Sequence, residues 1–274
     1  MSQKEKGRET AIRKTVKKRN KRRKRKLLIF FSAFLVIALA VLVVLSATVL
    51  FPVKNIIVEG KSPYTTEEII SASGIEDDNI IMLSSTKVKN RISKKLPLSG
   101  DISISKKFPD TVKIMVNTAV PVYYFFSDEI FYIADEEYKI IKKDVAAPEK
   151  CKYLKVSELN AVDPGSKLKL TADDEAQINE ISAICGKYDF TVTAIDVSKD
   201  LDLKIILKDK LLVLLGSNMD LEGKILHLSA ILPKMSDTAQ GTIDLRNWTS
   251  SNVKSIFRDE KINILDFCAQ NEQK

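Results

Sequence analysis

The chain has 274 residues, with 44 Lys and Arg against 36 Asp and Glu, and a formal net charge of +8. Fourteen of the basic residues lie in the first 26 positions beside only Glu5 and Glu9, so the rest carries a net charge of −4. The basicity thus belongs to one segment, which argues against a nucleic-acid partner for the folded part. Three cysteines, Cys151, Cys185 and Cys268, are too few for a disulfide framework, and Cys185 is predicted to be a buried thiol.

The segment after this basic tail is a run of 24 residues, 27–50, without a charge, a glycine or a proline. As a helix rising about 1.5 Å per residue, it is long enough to cross the hydrocarbon core of a bilayer. The preceding Lys and Arg predict that residues 1–26 form a cytoplasmic tail touching the lipid bilayer, as in a single-pass type II protein. A cleaved signal peptide is the alternative, but its apolar core usually spans only about 7–15 residues.

The next region, residues 51–121, predicts the order strand, helix, helix, strand, strand. Thr65 and Glu68 form a capping box that opens a helix ending at Gly74. A second apolar-periodic helix ends before Pro97. Alternating apolar residues on both sides of a proline-containing turn predict a closing hairpin. These elements predict a three-stranded sheet covered on one face by two helices.

Residues 122–257 are predicted to be mostly strand, interrupted by two helices. Six short extended runs cover residues 123–126, 130–134, 139–141, 192–197, 201–207 and 211–215. Thr171 opens one helix, residues 220–235 form the other, and residues 241–246 carry the last strand signal. A short polar tail that frays is expected over residues 258–274. The predicted fold class is α+β.

Several segments, in this order along the chain, resemble the FtsQ/DivIB family of bacterial cell division proteins in its shorter Gram-positive-type form. Residues 51–60, FPVKNIIVEG, resemble the opening strand of the family's POTRA domain, and residues 108–114, FPDTVKI, resemble its closing hairpin. The end of the family's β domain is similar to LVLLG at 212–216, the helix bearing Lys224, and GTIDLR at 241–246. The resemblance implies a transmembrane helix, a POTRA domain and a mostly antiparallel β domain with helices.

One departure from the family pattern precedes Pro121. The family usually carries Glu-Arg there, whereas this chain has Asn117, Thr118, Ala119 and Val120. A contact made by those two charges is therefore not expected in this chain.

The resemblance also implies a non-enzymatic divisome scaffold in the plasma membrane, located at the division septum. Such proteins bind bitopic partners of the FtsL and DivIC/FtsB type outside the membrane and help control septal peptidoglycan synthesis. Contact with the septal peptidoglycan synthase complex is a further partner expectation.

The predicted mode of binding is β-augmentation, in which a partner segment pairs with an exposed edge strand. The family's last strand, carried over to residues 242–247, is the candidate edge, and Trp248 and Phe257 are candidate apolar contacts. The predicted partner-binding residues are Thr242, Ile243, Asp244, Leu245, Arg246, Asn247, Trp248 and Phe257. In the alternative interpretation, Ile243 and Leu245 face the core, Arg246 pairs with a carboxylate and Trp248 caps the sheet.

Catalytic patterns in the chain are weak, and no catalytic, metal or cofactor site is predicted. Three S-x-x-K matches, at Ser84, Ser103 and Ser251, lack the S-D-N and K-T-G companions of an acyl-transferase. The lone histidine, His227, lies off the main apolar stripe of its helix and is predicted to be a surface residue.

Two further classes of function remain as alternatives. Asp200 and Asp202 form the D-x-D pattern of a type II membrane glycosyltransferase, although their alternation with leucines predicts the solvated face of a strand. A POTRA-bearing secretion component would normally repeat the POTRA unit, and no such repeat is visible.

Overall fold

A computed structural model describes residues 26–43, 45, 51–160, 163–236, 238–264 and 267. The predicted cytoplasmic tail, apart from Lys26, and Cys268 lie outside these residues. Helix α1, Lys26–Val43, lies in the predicted transmembrane run, and its side chains are exposed throughout. Of the described helices, it alone is long and apolar enough to cross a bilayer, which fits a single-pass membrane protein.

The described residues, including α1, fall into two compact units. The first contains the residues up to Ile57 together with Ile75–Ser84 and Ser105–Lys113, and the second contains all others. The second unit therefore holds the whole of the large sheet described below.

The region matching the POTRA prediction has the expected order of elements. Its bounds are β1 Asn55–Glu59, α2 Thr66–Ser73, α3 Ser85–Lys95, β2 Ser99–Lys107 and β3 Thr111–Thr118. The three strands form one sheet in the order β1-β3-β2.

The predicted capping box at the start of α2 is confirmed. The Glu68 N–H donates to Thr65 Oγ1 at 3.3 Å, and the Thr65 N–H donates to Glu68 Oε2 at 2.8 Å. The helix ends at Gly74 in the left-handed conformation, with φ at 58°, as the sequence predicts.

Position 60, directly after β1, must be a glycine because of its backbone conformation and the closeness of a neighbouring strand. Its φ is +111°, and a Cβ there would lie 2.2 Å from the carbonyl oxygen of Val116 on β3. Only glycine permits this close approach of two backbones.

The remaining strands form one nine-stranded sheet in the order β12-β11-β10-β9-β8-β7-β4-β5-β6. Their bounds are β4 Tyr123–Ser127, β5 Ile130–Ala134, β6 Ile140–Asp144, β7 Lys152–Lys155, β8 Val192–Asp196, β9 Leu203–Leu207, β10 Leu211–Gly216, β11 Gly241–Asp244 and β12 Ile256–Asp259. Three neighbouring pairs are parallel, β4 with β7, β7 with β8, and β10 with β11, and the others are antiparallel. The α+β class with a mostly antiparallel sheet is confirmed.

One face of this sheet packs against two helices, α4 Ala172–Lys187 and α5 Leu221–Ile231, the latter continuing into a 3-10 turn at Leu232–Lys234. Sheet residues such as Ile205, Val213 and Ile243 share a core with helix residues such as Ile181 and Ile225. Because strand side chains alternate, the neighbouring positions point to the opposite face.

That opposite face is covered in part by the C-terminal segment. Phe267 is 7% exposed and shares a core with Tyr153, Ala194 and Ile206. The described residues after Phe257 therefore differ from the polar, fraying tail expected from the composition, since β12 extends to Asp259 and Phe267 is buried.

Candidate partner-binding edge of the large sheet

The strand predicted to be the edge lies inside the sheet. β11 pairs in parallel with β10 on one side and antiparallel with β12 on the other. Four of the predicted binding residues are buried: Thr242, Ile243, Leu245 and Trp248. The interpretation of residues 242–247 as an edge is wrong, because the chain turns back after Trp248 and adds one more strand.

Asp244 and Arg246 form an ion pair on the face away from the helices. Arg246 donates from Nε to Asp244 Oδ1 at 3.0 Å and from Nη2 to Oδ2 at 2.6 Å, while Arg258 Nη2 lies 4.0 Å from Oδ2. The hydrogen bond from the Arg246 side chain is the largest cause that lowers the pKa of Asp244. Arg246 therefore pairs with a neighbouring carboxylate, as the alternative interpretation of the sequence predicts.

Trp248 closes the core beside α5. Its ring centroid lies 5.9 Å from that of His227, and Gly223 leaves room for its ring. His227 is half-buried, and its Nε2 lies 3.2 Å from Ser255 Oγ just before β12. The prediction of a surface histidine is wrong, because the turn after β11 folds Trp248 onto this side of α5.

β12 is one of the two terminal strands of the sheet, with β6 at the opposite end. All four of its residues are exposed, and no described strand pairs with its outer side. Of the predicted binding residues, Phe257 lies on this strand and is 44% exposed. Exposed Asn247 follows the Asp244–Arg246 pair in the turn beyond β11.

The backbone direction along β12 follows from the hydrogen bonds of β11. Gly241 N donates to Lys210 O at 3.0 Å and Leu245 N donates to Leu214 O at 2.9 Å, so alternate N–H groups of β11 face β10. The N–H groups at the intervening even positions, Thr242 and Asp244, point the other way and consequently face β12. Their register partners are Arg258 and Ile256, which leaves the backbone groups of Phe257 and Asp259 pointing outward.

A groove lies next to this edge on the helix side of the sheet. It has a volume of about 670 Å³ and is lined by residues that include Ile231, Met235, Gln240, Ile243 and Phe257. Phe257 is the register partner of Ile243, so both side chains point to this face. An extended segment added to β12 would find outward backbone groups beside an apolar recess.

The D-x-D pattern is part of an ordinary ion pair on the sheet. Asp202 Oδ2 lies 2.7 Å from Lys204 Nζ on the same face of the sheet, which is an ordinary ion pair. Within the part of the chain that the structure describes, no group of three or more His, Cys, Asp or Glu is placed to hold a metal ion.

The chain is similar to known cell division proteins. Residues 51–117 match the POTRA domain family of the FtsQ type. A cell division protein DivIB of Clostridium acetobutylicum is 29% identical over 179 residues, which cover 64% of this chain and 71% of the relative. A cell division protein DivIB of Clostridium tetani is 35% identical over 96 residues, which cover 34% of this chain and 36% of the relative. Residues 51–117 therefore match the FtsQ-type POTRA domain family, and the chain is similar to DivIB proteins of the FtsQ/DivIB family of bacterial cell division proteins.

Proposed function

We propose that this cell division protein is a non-enzymatic divisome scaffold whose folded part lies outside the plasma membrane at the septum. It binds bitopic division proteins of the FtsL and DivIC/FtsB type and thereby helps control septal peptidoglycan synthesis. Similarity to DivIB proteins supports divisome partners in general. The exposed strand β12 supports binding by addition of a partner strand. We retain residues 51–121 as the POTRA domain and residues 122–257 as the β domain in this proposal.

In the proposed complex, a partner segment adds to the large sheet beside β12. The outward N–H and C=O groups of Phe257 and Asp259 pair with its backbone, which supplies affinity independent of partner sequence. Partner side chains on the helix side enter the groove beside Phe257 and Ile243, so we expect apolar residues at those alternate positions. Those on the other face lie near Arg258, whose side chain is 56% exposed, so acidic residues are expected there.

The test replaces Phe257 by proline in the full chain, reconstituted in lipid nanodiscs, and measures binding of the extracytoplasmic segment of a candidate bitopic partner. Proline removes one outward N–H donor and leaves the donors of Ile256 and Arg258, which face β11, in place. We expect a loss of affinity of about tenfold or more, because one ladder bond and the neighbouring pairing are lost.

Two controls make the result interpretable. Hydrogen exchange of the Thr242 and Asp244 amides reports whether β11 and β12 remain paired in the variant. Proline at Ile243 or Asp244 is unsuitable, because those N–H groups are used within the sheet. A Phe257→Pro protein with protected β11 amides and unchanged affinity would refute binding at this edge.

A further inference from the structure

Three segments of the first unit meet around Phe51, the first described residue after the apolar run. The Ile80 N–H donates to Phe51 O at 2.9 Å, and the Lys54 N–H donates to Asp110 O at 2.9 Å. Lys106 Nζ donates to Ile81 O at 3.3 Å, which joins the turn near residue 80 to the end of β2. The start of the folded part, this turn and the β2–β3 hairpin therefore form one connected surface.

This surface presents apolar side chains to solvent. Met82 is 72% exposed, Phe108 63% and Ile81 46%, although Ile80 and Leu83 on either side are buried. The Ile81 and Met82 N–H groups both lie within hydrogen-bond distance of Asn79 Oδ1, which holds the backbone of this turn. The exposed side chains thus project from an ordered turn, and their exposure has a direct cost in water.

The position of this surface in the chain identifies what covers it. Phe51 follows the uninterrupted apolar run 27–50, and from Leu45 to Phe51 there are six Cα-to-Cα steps. Six fully extended residues span at most about 22 Å, so Phe51 and the segments bonded to it cannot move far from the end of the membrane-spanning run. A lipid surface is thereby held at high local concentration beside Met82 and Phe108.

The charges on this surface favour insertion of apolar groups over attraction to anionic lipid. Lys54, Lys106, Lys107 and Lys113 carry positive charge in these segments. The same segments carry four carboxylates, Glu76, Asp77, Asp78 and Asp110. Because the two signs balance, binding to the membrane must come from burial of the apolar side chains in the interfacial region.

We propose that Ile81, Met82 and Phe108 insert into the interfacial layer of the same bilayer that holds α1, so that this end of the folded part rests on the membrane. The proposal rests on the part of the proposed function that lodges α1 in the bilayer. It does not depend on which partner binds at β12.

The test uses the full chain with Met82→Trp, reconstituted in phosphatidylcholine vesicles whose acyl chains carry bromine close to the headgroup. Bromine quenches nearby indole fluorescence. The matched control is Met219→Trp, because Met219 is 75% exposed and lies far along the chain from α1. The native Trp248 is 7% exposed and provides a constant background, measured with the unsubstituted chain.

We expect brominated lipid to quench the added emission of Met82→Trp by about twofold or more relative to Met219→Trp. Adding Phe108→Glu to the Met82→Trp protein should reduce this quenching, since an ionised side chain at this second lipid-contacting position opposes insertion. Equal quenching of the two tryptophan variants would overturn the proposal.

Flotation of the vesicles separates this outcome from failure of the anchor. Protein that floats with the vesicles shows that α1 is lodged in the bilayer, so equal quenching then refutes the docking surface alone. Protein that fails to float refutes the anchor and the docking surface together.

Discussion

Lys155 on β7 and Asp196 on β8 face each other across neighbouring parallel strands, with Nζ and Oδ2 3.8 Å apart and both side chains nearly excluded from solvent. The Lys155 ammonium also lies 5.4 Å from the ring centroid of Phe267 and donates to the Phe267 carbonyl at 3.4 Å. Asp196 accepts from Ser198 N at 2.9 Å and from Ser198 Oγ at 2.6 Å. A buried ion pair thus links the centre of the sheet to the C-terminal segment.

Lys155→Met should destabilise the protein by about 3 kcal/mol, because it leaves the Asp196 carboxylate buried without its cation. The free energy of unfolding in urea measures this cost. The double variant Lys155→Met with Asp196→Leu should recover much of the loss, since no uncompensated charge remains. If the single and double variants were equally destabilised, the ion pair would not be the cause.

Phe267→Ala should lower the free energy of unfolding by about 3 kcal/mol, because a buried aromatic side chain over Tyr153 and Ile206 is lost. Phe108→Ala is the matched control, since Phe108 is 63% exposed. In detergent, Phe108→Ala should change the free energy of unfolding by no more than about 0.5 kcal/mol. Equal and small costs for both variants would show that the C-terminal segment adds no stability.

Arg246→Met should raise the pKa of Asp244, because the guanidinium hydrogen bonds that favour the carboxylate are removed. In the native protein the folded pKa lies below the ordinary value of 3.8. The carboxylate therefore contributes stability above the unfolded pKa, and this contribution is lost as the pH falls through the folded pKa. The variant should lose less stability on acidification below about pH 4 than the native protein does.

Carbon-13 NMR titration of the Asp244 carboxyl measures the shift directly. Arg258→Met is the control, because Arg258 Nη2 lies 4.0 Å from Asp244 Oδ2 and makes the smaller contribution. A larger shift from Arg258→Met than from Arg246→Met would contradict the assignment.

Cys185 should resist alkylation by iodoacetamide at neutral pH until the protein unfolds. The thiol is 1% exposed, and burial raises its pKa to about 11, so little thiolate is present. Half-buried Cys151 is the internal comparison and should be modified first, as measured by peptide mass spectrometry. Modification of Cys185 in the folded protein at the rate of Cys151 would show that its site opens to solvent.

Features that depend on neighbours along the chain were predictable. The capping box of Thr65 with Glu68, the Gly74 end of α2 and the Thr171 start of α4 match the sequence predictions, because each involves residues within one or two helical turns. Most strands of the large sheet matched as well, since their alternation reflects two faces with different neighbours. The burial of Cys185 was likewise confirmed.

The two strands missed by sequence reasoning are short and lack a local signal. β7 has only four residues, Lys152–Lys155, and lies between β4 and β8 as a parallel strand. β12 is exposed at all four positions, so it has no apolar alternation to mark it. Both strands exist because partners distant in sequence offer free backbone groups.

Three features of this chain were determined by its sequence alone: an apolar run long enough to cross a bilayer, a POTRA-like succession of elements, and a family resemblance that the relatives confirm. Which strand ends the large sheet was decided by pairing between residues far apart, since β12 reaches back to cover β11. The same holds for Phe267, whose burial depends on Tyr153 and Ile206 lying side by side in the folded sheet. Helix caps and alternation are short-range consequences of backbone geometry, whereas an edge or a covered face exists only after distant segments have met.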